Sequence, residues 1–182
     1  MAAYAMARFN LRGMNLVYGL LMLPLISPAI LLGVSTLTWF SYLQIPLSLN
    51  TVIVGQITVY LPFITLILSS GIYGINPSLI EASKDLGASS TNTFIHITLP
   101  LCIPGIIGGF TLAFCLAAGD FVSPILVGGP SGNLIANVLL TQYGMALNWP
   151  LGAAITVVIL IVFVILLSLS NQTERHGRIN IA

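Results

Sequence analysis

The sequence predicts an all-α, polytopic membrane protein: a helix bundle with four transmembrane helices and one polar loop at its middle. Three observations predict it. Hydrophobic residues make up 57% of the 182 residues and charged residues only 5%, whereas soluble domains carry about 25% charged residues. Four apolar stretches approach or exceed the ~20 residues that a helix needs to cross a hydrocarbon core. The cations are also segregated, with Arg8 and Arg12 ahead of the first stretch, Lys84 in the middle loop, and Arg175 and Arg178 after the last. Lipid is thus the first partner implied. A formal net charge of +1 offers no basic surface for nucleic acid. The positive-inside rule puts both termini and the middle loop on the cytoplasmic side, leaving two uncharged loops outside.

Residues 1–14 read as an interfacial segment rather than a signal peptide, because the stretch is short and its basic residues stand at its far end. The first span runs from Leu16 to Phe40. It holds Pro24, Pro28 and Gly33, so one kinked, protein-packed helix is expected. Tyr18 near one end, with Trp39 and Tyr42 near the other, fit the two aromatic belts. The second span, Thr51 to Tyr73, contains Pro62, which deprives the Thr58 carbonyl of its helical partner. Gln56, Tyr60, Phe63 and Ile67 share one face of it. A glutamine at that depth either bonds a neighbouring helix or lines a water-filled path, which makes Gln56 and Tyr60 candidate pathway residues.

The third span runs from about Leu101 to Val122. Gly105, Gly109, Ala113 and Ala117 recur at steps of four, a small-residue ribbon suited to close helix packing. Cys102 and Cys115 stand roughly 20 Å apart on that helix, too far for a disulfide, and they match no metal-binding spacing. Asp120, at the far end, is the one acidic residue outside the presumed cytoplasmic segments. It is a candidate for attracting a cation, against the alternative of a solvated helix cap. Ser123 to Pro150 reads as a longer uncharged loop. Its Gly128-Gly129-Pro130-Ser131-Gly132 lacks the Lys-Ser/Thr of a phosphate cradle and reads as a turn. Leu151 to Leu169 is the fourth span, and Asn171 to Ala182 a polar tail.

The middle loop, 76–100, is the most informative stretch. Asn76 can cap a helix that starts at Pro77, and Gly87 suits the position just past its end. Ile75, Leu79, Ala82 and Leu86 fall on one face of that helix, with Ser78, Glu81 and Asp85 on the other. Ser89 or Ser90 can start a second short helix through Phe94 and Ile97. Pro100 should hold Leu99 extended and mark where the third span begins.

Glu81-Ala82-Ser83, then Gly87, Ile97, Leu99 and Pro100, resemble the EAA loop of ABC importer permeases. The pattern is Glu-Ala-Ala, three residues, Gly, nine residues, Ile, one residue, Leu-Pro, with Ser83 as the single departure. The resemblance implies that this loop is a coupling helix docking on a cytoplasmic ATPase dimer. It also implies a second permease subunit, an extracytoplasmic solute-binding protein, and a bacterial inner-membrane location. ATP would be bound by the ATPase, leaving this chain without cofactor, metal or catalytic residues of its own.

Further matches extend it. YAMARFNLRG with LPLISP, and GDFVSPILVGGPSGNLIANVL with NWPLGAA, look like the spermidine/putrescine branch. Members of that branch have six helices, with two ahead of the AAYAMAR segment, so this chain reads as an incomplete version of the fold. Ferric iron, phosphonate and sulfate permeases are near relatives and stay open as alternatives. So do a truncated assembly subunit and a secondary transporter, although the latter usually places paired ionisable groups at mid-membrane.

Overall fold

The computed structural model describes residues 3–4 and 13–179, with the side chains of 14–15 and 171–179 left aside. The basic N-terminal segment with Arg8 and Arg12 therefore lies outside the described residues. Eight helices follow in order: α1 Met14–Ile26, α2 Ala29–Tyr42, α3 Leu49–Tyr73, α4 Pro77–Asp85, α5 Ser90–Gly119, α6 Val122–Val127, α7 Ile135–Leu140 and α8 Trp149–Ile179. No strand occurs among the described residues. Three helices, α3, α5 and α8 as far as Ser170, are each long and apolar enough to cross a membrane. These match the second, third and fourth predicted spans.

The first predicted span is corrected. Residues 16–40 do not form one kinked helix: α1 and α2 meet at 109°. The break falls at Ser27, whose backbone is extended at φ −83°, ψ 136°. Pro28 favours that geometry, because its ring disfavours the helical conformation in the residue before it. With 13 and 14 residues, each arm is roughly 20 Å long, short of a ~30 Å hydrocarbon core. Only as a pair do they account for a crossing. Pro62, by contrast, does not break α3, which runs 25 residues straight through it. There the proline is fully buried by its neighbours.

Between Ser123 and Pro150 the expected loop is also corrected, for the chain folds into compact pieces. The third span ends at Gly119 instead of Val122, and α6 follows after two residues. A 3₁₀ turn at Gly129–Ser131, α7, and a π turn at Thr141–Met145 complete the segment. The reason is hydrophobic burial. Val127 of α6 joins Phe40 of α2 and Val52 of α3 in a shared core, flanked by Leu37, Leu47, Leu126 and Leu134. The Thr51 hydroxyl sits between the carbonyls of Ser48 and Val127 and fastens α3 to the end of α6. Glycine is required at Gly129, where φ is +56° and a Cβ would lie 2.5 Å from the Leu47 carbonyl oxygen.

Helix α5 is the centre of the bundle, packed on α3 along one side and α8 along the other. Of its small-residue ribbon, Gly109 meets Ile64 and Ile67 of α3. A Cβ at Gly105 would meet nothing within 4 Å, so the ribbon packs within this chain only in part. A second core of Ala3, Ile72, Ile75 and Cys102 closes the bundle at the loop end. At the far end of the chain, residues 171–179 continue α8 as helix instead of trailing off as a tail.

Candidate functional site

The polar loop is a stiff two-helix module. Asn76 caps α4 by accepting a hydrogen bond from the Ser78 amide at 3.0 Å, and Pro77 holds the first helical position. At the other end Gly87 sits at φ +81°. Its amide donates to the Lys84 carbonyl at 2.9 Å, and the Ala88 amide donates to Ser83 at 3.1 Å. Those two bonds form a Schellman closure, which needs a left-handed residue at this position. The Ser89 hydroxyl then accepts from the Asn92 amide at 3.3 Å and opens α5.

The inward face of α4 differs from the stripe the periodicity suggests. Ser83 is buried and Ile80 half-buried, whereas Leu79, Ala82 and Leu86 point outward, Leu86 with 89% of its surface exposed. Glu81 is exposed beside them. The expected extended conformation at Leu99 is not found either. Leu99 is helical at φ −64°, ψ −48°, and α5 runs unbroken from Ser90 to Gly119. A π turn at Phe94–Thr98 resolves the conflict with Pro100, since the Leu99 amide bonds back to Phe94, five residues away. The widened turn shifts the hydrogen-bond register just ahead of a ring that has no N–H and would press on the preceding turn. Ile97 is half-buried in this turn, and Leu99 and Pro100 are exposed at its end.

Ser83, the one departure from the loop pattern, has a specific role in the fold. Its hydroxyl lies 2.8 Å from that of Thr93, and both are buried. This bond joins α4 to the base of α5. Thr93 was not singled out by the sequence, because a threonine four residues after the Ser89 cap reads as one more polar residue of the loop.

A second polar cluster lies at the opposite end of α5. Asp120 follows the last residue of the helix, and one of its oxygens, Oδ1, accepts from the Val122 and Ser123 amides at 2.9 and 3.1 Å. It thereby caps α6. Its Oδ2 lies 3.4 Å from Gln56 Nε2, which also donates to the Ala117 carbonyl at 3.1 Å. The Tyr60 hydroxyl donates to Leu116 at 3.2 Å. Gln56, Tyr60 and Asp120 are thus brought together across α3 and α5. Tyr143 and Trp149 stack edge to face, 5.4 Å between centroids, and Tyr143 also contacts the Thr156 hydroxyl at 3.1 Å. No group of three or more His, Cys, Asp or Glu that could hold a metal occurs among the described residues.

Fold and site together define an integral membrane subunit in which a capped loop helix is bonded to the root of the central spanning helix. Residues 1–173 match the family described as the binding-protein-dependent transport system inner membrane component, and the chain belongs to that family. It is 38% identical over 143 residues to the spermidine/putrescine transport system permease protein PotB of Escherichia coli K12, covering 76% of this chain and 52% of that one. Against the PotC protein of the same system in Haemophilus influenzae the identity is 30% over 178 residues, covering 97% and 69%. The chain spans about half the length of the PotB relatives it matches. A solved bacterial ABC transporter involved in import of the acidic polysaccharide alginate superposes with a TM-score of 0.75 at 16% identity, over 96% of this chain and 70% of that one. At that identity the likeness is one of fold, and a fold does not carry its cargo with it.

Proposed function

We propose that this chain is a pathway-forming permease subunit of an ATP-driven importer for a small organic cation of the polyamine class. Helix α4 docks on a cytoplasmic ATPase dimer that binds and hydrolyses the ATP. A second permease subunit completes the pathway, and an extracytoplasmic binding protein delivers the solute. The loop and both ends of the chain face the cytoplasm of a bacterial inner membrane. The observation that carries this reading is the outward stripe Leu79, Ala82 and Leu86 on α4. A capped helix with an apolar ridge and charged neighbours at Glu81, Lys84 and Asp85 is suited to insertion into a protein groove.

The cargo assignment rests on the PotB and PotC relatives and on Asp120. Gln56 ties that carboxylate to α3, which suits it to attract a cation entering between α3 and α5. Two arms test the proposal. Leu86→Glu should abolish copurification with the ATPase while leaving membrane insertion unchanged; retained copurification refutes docking through this ridge. Asp120→Asn should lower uptake of labelled putrescine or spermidine several-fold below saturation while sparing ATPase association. Uptake equal to wild type removes Asp120 from the pathway.

A further inference from the structure

The loop helix and the spanning helix are joined by a bond whose position gives it a mechanical role. Ser83 and Thr93 are the residues on either side of the Schellman turn that bury hydroxyls against each other, 2.8 Å apart. Ser83 is 7% exposed and Thr93 3%. Thr93 belongs to α5, a continuous helix of 30 residues that passes through the whole bundle between α3 and α8. Displacing α4 therefore pulls on the first turn of the helix that forms the centre of the membrane domain. The other ties between the two elements differ in kind. The Gly87 and Ala88 amides bond back to the carbonyls of Lys84 and Ser83 within the end of α4 and do not reach α5, and the exposed side chains of Glu81 and Leu86 face away.

We infer that the buried Ser83–Thr93 hydrogen bond is the link that transmits movement of the docked α4 to α5, so that these two are positioning residues for coupling. The inference rests on the permease reading above and adds the route by which docking reaches the membrane. An alanine at position 83, as in the loop pattern, packs but cannot bond. Losing the Thr93 hydroxyl also leaves that of Ser83 buried without its partner, whereas losing the Ser83 hydroxyl leaves Thr93 bonded to the Ser89 carbonyl at 3.2 Å, on its own helix and no longer tied to α4. In a bond shared by two residues the single and double substitutions are therefore non-additive.

The test uses the transporter assembled from the full chain and its copurifying ATPase in proteoliposomes, measuring solute imported per ATP hydrolysed. Thr93→Val keeps the shape and removes the hydroxyl, Thr93→Ser keeps the hydroxyl, and Ser83→Ala removes the other partner. Thr93→Val and Ser83→Ala should each lower the ratio at least threefold with ATPase association intact. Thr93→Ser should match wild type, and the double substitution Ser83→Ala/Thr93→Val should be no worse than either single one. A wild-type ratio in Thr93→Val, effects that multiply in the double variant, or a Thr93→Ser as impaired as Thr93→Val would each overturn the link. A Thr93→Val chain that fails to assemble while Thr93→Ser assembles would assign the bond to folding and likewise overturn it. Absence of any copurifying ATPase from the wild type would instead refute the permease reading, and this inference with it.

Discussion

Replacing Gly87 by valine tests the loop through its backbone alone. At φ +81° the residue occupies the left-handed region, yet a Cβ built there meets nothing within 4 Å. A new side chain thus collides with no neighbour, and the whole cost is conformational. For an L-residue that cost is about 1–2 kcal/mol, at the upper end for a β-branched side chain. It falls on the closure made by the Gly87 and Ala88 amides at 2.9 and 3.1 Å. One or two kcal/mol changes an equilibrium by a factor of about 5–30, so the fraction of chains with a correctly ended α4 drops by up to that factor. If docking requires the closed form, apparent affinity for the ATPase falls by up to the same factor. The assay is titration of the ATPase subunit onto detergent-solubilised permease, with membrane insertion as the control. A substitution series sharpens it: asparagine, which tolerates left-handed backbone, should lose least, alanine more and valine most. Valine binding as well as glycine would refute the reasoning. Asparagine as damaging as valine would show that space, not backbone conformation, is limiting.

Two further outcomes follow from the same geometry. Gly129→Ala should destabilise the solubilised protein strongly, because its Cβ would be driven against the Leu47 backbone, while Gly105→Ala, with open space around it, should unfold at or above the wild-type temperature. On a background lacking Cys102 and Cys115, a membrane-impermeant thiol reagent added to sealed cells should label Ser131→Cys and miss Leu86→Cys; both sites are exposed in the fold, so external labelling of the second would invert the orientation.

What the sequence made legible is what depends on near neighbours in the chain. Asn76, Pro77 and Gly87 act on backbone groups within a few residues, and each is found in the conformation that its chemistry dictates. The long spans are legible through length and apolar content. Less so is anything decided across the fold. Helices α6 and α7 have six residues each, too few to show a period beside glycine-rich turns, and burial against Phe40 and Val52 decides the seating of α6. The 109° break at Ser27, ahead of Pro28, and the unbroken helix through the buried Pro62 follow from the same residue type in different surroundings. Leu99 obeyed the helix around it instead of the proline after it, because a π turn absorbed the conflict.

The same distinction bears on which polar groups inside the bundle can report on its movement. Most hydroxyls in the spans bond back along their own helix. Ser35, Thr36 and Thr38 do so on α2, Thr58 and Thr65 on α3, and Thr111 on α5, each to a carbonyl four residues earlier. Such bonds travel with their helix and survive any rigid shift of it. Gln56 and Tyr60 are different, because their partners at Leu116, Ala117 and Asp120 lie 56–64 residues away on or beside α5. A change in how α3 crosses α5 has to break or exchange those bonds. Asp120 in turn holds the first amides of α6, which is packed on α2 and α3. Sliding α3 past α5 therefore disturbs the Asp120 carboxylate at one end of α5, just as displacing α4 pulls on Thr93 at the other. The two polar clusters occupy the two ends of one continuous helix, α5, so two states of the bundle that differ in the seating of α5 would differ at both clusters.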